Sequence, residues 1–335
     1  MWVSIIIINY NTKDITLNCL KSIYEHTIEI DFEIIVVDNA SSDNSVEAIK
    51  VSYPLVKIIE SNENLGFGRA NNLGAKYAQG EYLFLLNSDT LLIENTLSVL
   101  YNFMKDRDSE NIGACGVSLL NGQQQKTISA GHFPSLLQEF SDIGFRHLYN
   151  NYYNNNLSLA FSITKGEGVR EVDYICGADI FIKKELFNEL KGFDEDYFMY
   201  FEETDLCFRL KYTQGKDIYY TPFSKIIHFN GVSYNSDISL SARKQELFDK
   251  NLKLFKKKWQ KEIDAIKAEK TQSRILELHQ NKSIVFYNGM VPEYDKNSGE
   301  LRLTEIIKAY KRKGYFVAIV AKKNKIDFSY NEYFQ

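Results

Sequence analysis

The sequence predicts an α/β fold in which a mostly parallel sheet is flanked by helices. Three observations carry this prediction. Short runs of apolar and β-branched residues recur along the first half of the chain, and amphipathic, helix-like segments stand between them. The runs are apolar at consecutive positions, as expected of strands that are buried on both faces. Strands that alternate with helices pair in parallel through right-handed crossovers.

The predicted elements follow one another in the order that this fold requires. In the first half they are a strand at 5–8, a helix around 17–24, strands at 33–37 and 56–59, a helix at 70–79 and a strand at 82–86. A strand at 180–182 follows, with a helix that starts near Lys184 and ends at Gly192. Between these two groups, the aperiodic polar and aromatic stretch at 149–156 is predicted to be a long functional loop or a mobile insert.

The chain is expected to divide into three parts. Residues 1–240 form the main α/β domain, and residues 241–280 form a Lys-rich helical extension. Residues 281–335 contain a strand at 283–287, a helix at 300–312 and a strand at 315–321. One strand–helix–strand unit cannot bury both faces of its strands, so we expect this piece to be the start of a second α/β domain.

Composition narrows the function and the compartment. The chain has 335 residues, is 44% hydrophobic and carries a net charge of −4, which gives no support for a nucleic-acid binder. Its four cysteines are scattered, which indicates neither a disulfide framework nor a zinc site. No apolar run is long enough to cross a bilayer. We therefore expect a cytoplasmic protein. The basic face of the Lys-rich helix either contacts the inner face of the membrane peripherally or is simply exposed to solvent.

Polar residues follow two of the predicted strands. Asn87, Ser88 and Asp89 come directly after the strand at 82–86, and Asp38 follows the strand at 33–37. In open α/β sheets, ligands bind at the carboxyl ends of the strands. A carboxylate there suits a divalent cation that grips a diphosphate, and Asp38 suits a nucleobase imide or a ribose. The alternative for each is ordinary turn chemistry.

The loop at 62–72 is polar, contains glycine and enters a helix. Its backbone N–H groups and Arg69 are candidates for contact with a diphosphate. Glycines in such a loop are also compatible with a simple turn.

An acidic and aromatic segment at 192–209 contains the candidate general base. Glu202, Glu203 and Asp205 stand among aromatic residues, and an apolar setting raises the pKa of a carboxyl group towards that of a useful base. A helix N-terminus that is simply rich in acids is the alternative. His228 ends another strand-like run and is either structural or a ligand for a metal such as Mn²⁺.

Taken in order, these segments resemble family 2 glycosyltransferases, and most closely the bacterial rhamnosyltransferase-like group that builds surface polysaccharides such as O-antigen and capsule. The resemblance rests on SIIIINYN, VVDNASSD, NLGFGRANN, NSDT, GFDE and YFEETDLCFR, and it covers roughly residues 3–260. It implies a GT-A fold, which is Rossmann-like, and inversion at the anomeric carbon. It also implies that Asp38 reads the base, that Asp89 binds a metal and that His228 is a further ligand.

The resemblance completes the set of predicted site residues. The catalytic candidates are Glu203 by preference, Glu202 and Asp205, and the metal ligands are Asp89 and His228. The predicted donor contacts are Asn9, Asn11, Asp38, Asn64, Gly66, Arg69, Asn72, Asn87 and Ser88. The predicted acceptor contacts are Gly177, Asp179 and Tyr200.

Two departures qualify the resemblance. Asn87 replaces the first acid of the Asp-x-Asp pattern, and Glu202-Glu203 replaces the usual Glu-Asp pair, which leaves the choice of base between these two residues.

The tail at 288–302 is similar to the opening of a GT-B glycosyltransferase, which implies a second, partial glycosyltransferase domain.

The prediction is an inverting glycosyltransferase that depends on Mn²⁺ or Mg²⁺. Its donor is expected to be a dTDP- or UDP-linked sugar, with rhamnose as one option, and its acceptor a growing surface polysaccharide or lipid-linked glycan. A catalytically silent acceptor-binding module for a second domain and a sugar nucleotidyltransferase are the alternatives.

Overall fold

The computed structural model describes residues 2–107, 111–131, 168–229, 243–280, 283–288, 298–313 and 315–321. The predicted loop at 149–156 lies outside these residues. The chain forms two compact units, Met1–Gln260 and Lys261–Gln335.

The larger unit contains eleven described strands and six helices that lie wholly within it. Its strands are β1 (Val3–Asn9), β2 (Phe32–Asp38), β3 (Lys57–Glu60), β4 (Tyr82–Asn87), β5 (Thr90–Leu92), β6 (Ile112–Leu120), β7 (Ala130–Gly131), β8 (Arg170–Val172), β9 (Tyr174–Ile175), β10 (Asp179–Lys183) and β11 (Asp217–His228). Its helices are α1 (Lys13–His26), α2 (Ser45–Ser52), α3 (Gly66–Ala75), α4 (Thr96–Asp106), α5 (Lys184–Glu189) and α6 (Glu202–Phe208). A π-helical turn at Arg209–Thr213 extends α6, and a long helix α7 (Lys244–Gln280) begins in this unit.

Nine of the described strands form one sheet in the order β3-β2-β1-β4-β10-β6-β11-β5, with β8 beside β11. The pairs among β1, β2, β3 and β4 are all parallel, and β11 is parallel to β6. The strands β5, β8 and β10 run in the opposite direction. The predicted mostly parallel sheet is thereby confirmed, and the antiparallel strands lie in its second half.

Both faces of the sheet are buried, which explains the unbroken apolar runs. Along β1, Ile5 and Ile7 pack into one core with α1 and α4, while Ile6 packs into a second core on the opposite face. Successive side chains of a strand point to opposite faces, so a strand between two helical layers needs an apolar residue at every position.

The first unit extends further along the chain than predicted. Instead of ending near residue 240, it ends at Gln260, inside α7. Leu247 and Phe255 of this helix are 6% and 5% exposed, and Asn251 is 2% exposed. These buried side chains are the physical reason that the start of the helix belongs to the first unit.

The second unit confirms the predicted strand–helix–strand pattern. Strand β12 (Ser283–Asn288) pairs in parallel with β13 (Phe316–Ala321), and helix α8 (Ser298–Arg312) lies between them in the chain. Across the described residues of both units, no helix combines the length and the apolar character that a membrane span requires.

Candidate active site

The carboxyl end of β4 brings three predicted site residues together. The pairing of β5 with β11 sets His228 opposite Thr90, the residue after Asp89. As a result the Nε2 atom of His228 lies 3.2 Å from Oδ1 of Asp89 and 3.3 Å from the side-chain amide nitrogen of Asn87. Asp89 and His228 are only 4% and 6% exposed. Ser88 beside them is also buried.

The chemistry of this corner fits a hard or borderline divalent cation. Asp89 offers carboxylate oxygens and His228 an imidazole nitrogen, and both are ligand types that Mn²⁺ accepts. Within the described part of the chain, no third Asp, Glu, His or Cys joins them to complete a metal cage. A cation here would therefore take its other ligands from bound substrate and from water, which is how Mg²⁺ is held in phosphate-binding sites.

At the end of β2, Asp38 is held in a buried polar network. One carboxylate oxygen accepts a hydrogen bond from Nδ2 of Asn9 at 2.7 Å, and the other accepts from the backbone N–H of Ser41 at 2.9 Å. Oδ1 of Asn9 in turn accepts from Thr12 and Thr16. Asn9 is thus fully engaged within the chain and orients Asp38. Each carboxylate oxygen of Asp38 retains a further lone pair for a ligand.

Asn11 is tied to the loop after β2. Its Oδ1 accepts from the backbone N–H of Ser42 at 2.8 Å, and its own N–H donates to Oγ of Ser41 at 3.0 Å. The side chain therefore fastens the β1 and β2 loops to one another at the same edge of the sheet as Asp38.

In the 62–72 segment, three of the predicted donor contacts form hydrogen bonds within the protein. Oδ1 of Asn64 accepts from the N–H of Gly66, and the carbonyl of Gly66 accepts from Asn39. The side chain of Asn72 pairs with both backbone groups of Phe193 at 2.8 and 2.9 Å. Helix α3 starts at Gly66, four residues earlier than predicted. A role of Asn64, Gly66 and Asn72 in donor binding stays a prediction.

Arg69 lies on the first turn of α3 and is exposed. Its Nε donates to the backbone carbonyl of Glu195 at 2.9 Å. The predicted approach of Arg69 to a diphosphate stays a prediction, and the observed contact joins α3 to the segment before α6.

Gly66 is a position where only glycine fits, because its φ is +77° and a Cβ atom would meet the carbonyl oxygen of Phe198 at 2.2 Å. We expect Gly66→Ala to lower the free energy of unfolding by about 2–4 kcal/mol, from left-handed backbone strain and forced displacement of Phe198. Gly215→Ala is the matched control, since Gly215 has a φ of +61° but open space around it. Its cost is expected to be about 1 kcal/mol. Equal urea midpoints for the two variants would contradict the assigned clash.

Helix α6 begins with the two candidate bases. Glu202 is 5% exposed and its Cβ lies near Gly68, towards α3. Glu203 is partly exposed and packs against Gly177, whose Cβ position would lie 3.5 Å from the Glu203 side chain. Gly177 adjoins Ala178, which accepts a hydrogen bond from the backbone of Asn87. Glu203 therefore packs beside the segment that is hydrogen-bonded to the end of β4, and Glu202 lies beside α3.

Burial raises the pKa of both glutamates. For Glu202 the charge of Glu203 adds to the effect and the pKa lies well above its usual range, while backbone N–H groups at the start of α6 partly offset the rise for Glu203. Burial likewise raises the pKa of the Cys176 thiol to about 12, and the nearby carboxylates Asp179, Glu203 and Asp89 contribute. The Cys176 side chain thus lies within the fields of both the predicted base and the predicted metal ligand.

Asp205, a predicted catalytic candidate, has a structural role instead. Its side chain is fully buried. One oxygen accepts from Nε of Arg209 at 2.6 Å and the other from Nε1 of Trp259 at 2.7 Å. A carboxylate that is paired with a guanidinium and excluded from solvent cannot reach an acceptor hydroxyl. The prediction of a catalytic role for Asp205 is therefore wrong, and its side chain instead joins α6 to α7.

Asp179, a predicted acceptor contact, also lies outside the accessible site. It is the first residue of β10, is fully buried and accepts from the backbone N–H of Val117 at 2.6 Å. Burial raises its pKa well above the usual range. Its place inside the sheet rules out contact with an acceptor in this structure.

Tyr200 remains accessible beside α6. Its ring lies 5.9 Å from that of Phe248, and its backbone carbonyl accepts a hydrogen bond from Asn251. Asn251 and Trp259 lie in the part of the chain predicted to be a helical extension, but the sequence offered no signal that they contact the 199–205 segment.

The sequence of this chain is similar to those of known glycosyltransferases. Residues 4–161 match the family model described as Glycosyl transferase family 2. The glycosyltransferase GlyG of Streptococcus pneumoniae is 31% identical over 111 residues, covering 32% of this chain and 36% of that protein. The N-acetylglucosaminyl-diphospho-decaprenol L-rhamnosyltransferase of Mycobacterium tuberculosis is 24% identical over 217 residues, covering 61% of this chain and 68% of the relative.

A solved structure supports the fold. The crystal structure of GalNAc-T7 with UDP, GalNAc and Mn²⁺ superposes with a TM-score of 0.50 at 16% identity, covering 68% of this chain and 44% of that one. The matched regions cover 36, 18 and 37% of the length of three relatives that are 31, 36 and 34% identical to this chain, so the chain spans less than two thirds of each.

Proposed function

We propose that this chain, whose residues 4–161 match the Glycosyl transferase family 2 model, transfers a sugar from a nucleoside diphosphate sugar to a hydroxyl group of a glycan, with inversion at the anomeric carbon. The observation that carries the proposal is the arrangement at the carboxyl end of β4. Asn87, whose side chain lies 3.3 Å from His228 of the buried Asp89–His228 pair, donates a backbone hydrogen bond to Ala178, and Glu203 packs against the neighbouring Gly177.

Asp89 and His228 are the residues proposed to hold a divalent cation, Mn²⁺ or Mg²⁺. A bound cation would supply positive charge to the diphosphate of the donor. Asn87 and Ser88 border the same corner. Asp38 is the residue proposed to accept hydrogen bonds from the base or ribose of the nucleotide, and its contacts with Asn9 and Ser41 at the end of β2 support this role.

Glu203 is the proposed general base. Its carboxylate takes the proton of the acceptor hydroxyl, and the oxygen forms a bond to the anomeric carbon from the face opposite the diphosphate. The bond between that carbon and the diphosphate oxygen breaks, and the nucleoside diphosphate leaves with the electron pair. Glu203 then releases its proton to water, so the protein is unchanged after the cycle.

The identities of donor and acceptor follow from the relatives as proposals. The mycobacterial relative is named for transfer of L-rhamnose to a sugar on a lipid diphosphate. We therefore propose a dTDP- or UDP-linked sugar as donor, rhamnose included, and a lipid-linked or growing surface glycan as acceptor. Such an acceptor lies at a membrane, which agrees with the proposal of a peripheral location at its inner face.

The test is a release assay for nucleoside diphosphate from UDP- and dTDP-sugars, with and without N-acetylglucosaminyl-diphospho-polyprenol as acceptor. We expect release with Mn²⁺, loss of release with EDTA, and a faster reaction with acceptor. A product that retains the anomeric configuration would contradict the inverting mechanism. Binding of nucleotide sugar without any release or transfer would favour the silent binding module.

A further inference from the structure

The turn that precedes the candidate base has an unusual backbone. Tyr200 and Phe201 have φ values of +72° and +73°, and both are bulky residues without the freedom of glycine. The left-handed region disfavours such residues, and consecutive examples persist only where surrounding structure holds them. Helix α6, with Glu202 and Glu203 at its start, follows directly. The direction of the candidate base therefore depends on what holds this turn.

Asn251 of α7 holds the turn through its side-chain amide. Its Nδ2 group donates to the carbonyl of Met199 at 2.7 Å and to the carbonyl of Tyr200 at 3.1 Å. The side chain is 2% exposed, so these hydrogen bonds form away from water. They fix two successive peptide planes immediately before Phe201.

Aromatic packing holds the same turn from the same helix. The ring of Phe201 lies 5.2 Å from that of Phe248 and 5.7 Å from that of Phe255. Phe248, Asn251 and Phe255 occur at helical spacing, so one face of α7 covers the turn.

The helix makes two further polar contacts around α6. Nε1 of Trp259 donates to the buried carboxylate of Asp205 in the first turn of α6. Nζ of Lys258 forms ion pairs with Asp194 and with Asp196, the latter at 3.0 Å. Contacts therefore lie both before and after Glu203 in the chain.

We propose that the part of α7 up to residue 260 is a positioning element of the active site, in which Asn251 is the residue that sets the orientation of Glu203. This rests on the proposed role of Glu203 as the base. Asn251 touches no substrate in this arrangement. It acts through the carbonyls of Met199 and Tyr200, and their release lets the turn relax and moves the start of α6. A displacement of about 1 Å at a reacting group lowers the rate by up to about 10²-fold.

The test uses full-length protein with Asn251→Leu, which keeps the side-chain shape and removes both donors. We expect kcat to fall about 10- to 100-fold, while the donor KM and the affinity for UDP with Mn²⁺ stay within about twofold. Asn251→Asp, which also lacks the amide donors, is expected to behave in the same way. Lys256→Ala is the matched control, because Lys256 is exposed on the same helix.

Hydrogen exchange measured by mass spectrometry gives a readout that does not depend on activity. In Asn251→Leu we expect faster exchange in the peptide at 199–208 and unchanged exchange in β1 and β4. Unchanged exchange at 199–208 overturns the positioning role whether or not transfer is observed. A wild-type kcat in a folded Asn251→Leu variant overturns it as well. Absence of transfer by the wild type would count against the proposed function, and the exchange result would still decide the role of Asn251.

Discussion

Glu203→Gln is expected to lower kcat by about 10²–10⁴-fold, the range for loss of a general base, while donor affinity stays unchanged. The substitution keeps the shape of the side chain and removes its ability to take the acceptor proton. Glu203 packs against Gly177, and the variant leaves in place the Asp89–His228 pair that is proposed to hold the cation. The measurement is single-turnover transfer at saturating donor, metal and acceptor.

Glu202→Gln is the matched control for this prediction. Burial and the charge of Glu203 raise the pKa of Glu202 well above its usual range, which favours the neutral form of Glu202. Glutamine resembles that neutral form, and we expect a small effect. If Glu202→Gln is inactive while Glu203→Gln turns over normally, the base is the first glutamate of the pair.

The fall of kcat at low pH provides a second check on the role of Glu203 as the base. The base must be ionised to accept a proton, and burial raises the pKa of Glu203 above its ordinary value. Activity should therefore rise with pH through that raised pKa and level off above it, at a higher pH than the value of about 4.3 for a free glutamate would give. A limb at or below the ordinary value would contradict the assignment of Glu203 as the base.

Asp89→Asn is expected to weaken binding of UDP or dTDP in the presence of Mn²⁺ by more than about 100-fold, since even outer partners of metal ligands contribute about 10- to 100-fold. The substitution removes the negative charge of the Asp89–His228 pair and keeps its size. Titration calorimetry of nucleotide with and without Mn²⁺ measures the effect. The fold is expected to remain intact, because the polar side chain that replaces the carboxylate fits the same space.

Two further variants serve as comparisons for Asp89→Asn. Asp14→Asn removes an exposed acid from α1 and is expected to leave metal-dependent binding unchanged. His228→Ala is expected to weaken it less than Asp89→Asn, because the imidazole carries no formal negative charge. Equal affinities for wild type and Asp89→Asn would remove Asp89 from the metal site.

The order of elements and the edge of the sheet that carries the site could be read from the sequence. Apolar runs without polar interruption require strands covered on both faces, and β1, β2 and β4 are such strands. Polar residues placed where these runs stop must lie at the carboxyl edge, as Asp38 and Asp89 do. These features depend on local periodicity, which the chain encodes residue by residue.

Only the tertiary structure decided which polar residues meet. The antiparallel register of β5 and β11 brings His228 to Asp89, and strand register between distant segments leaves no local trace. An acid also looks the same in sequence whether it faces a cleft or an arginine. Glu203 and Asp205 lie two residues apart, yet Glu203 is partly exposed beside Gly177 and Asp205 is buried between Arg209 and Trp259. The partner across the interface, and not the residue type, determines whether a carboxylate is available for chemistry.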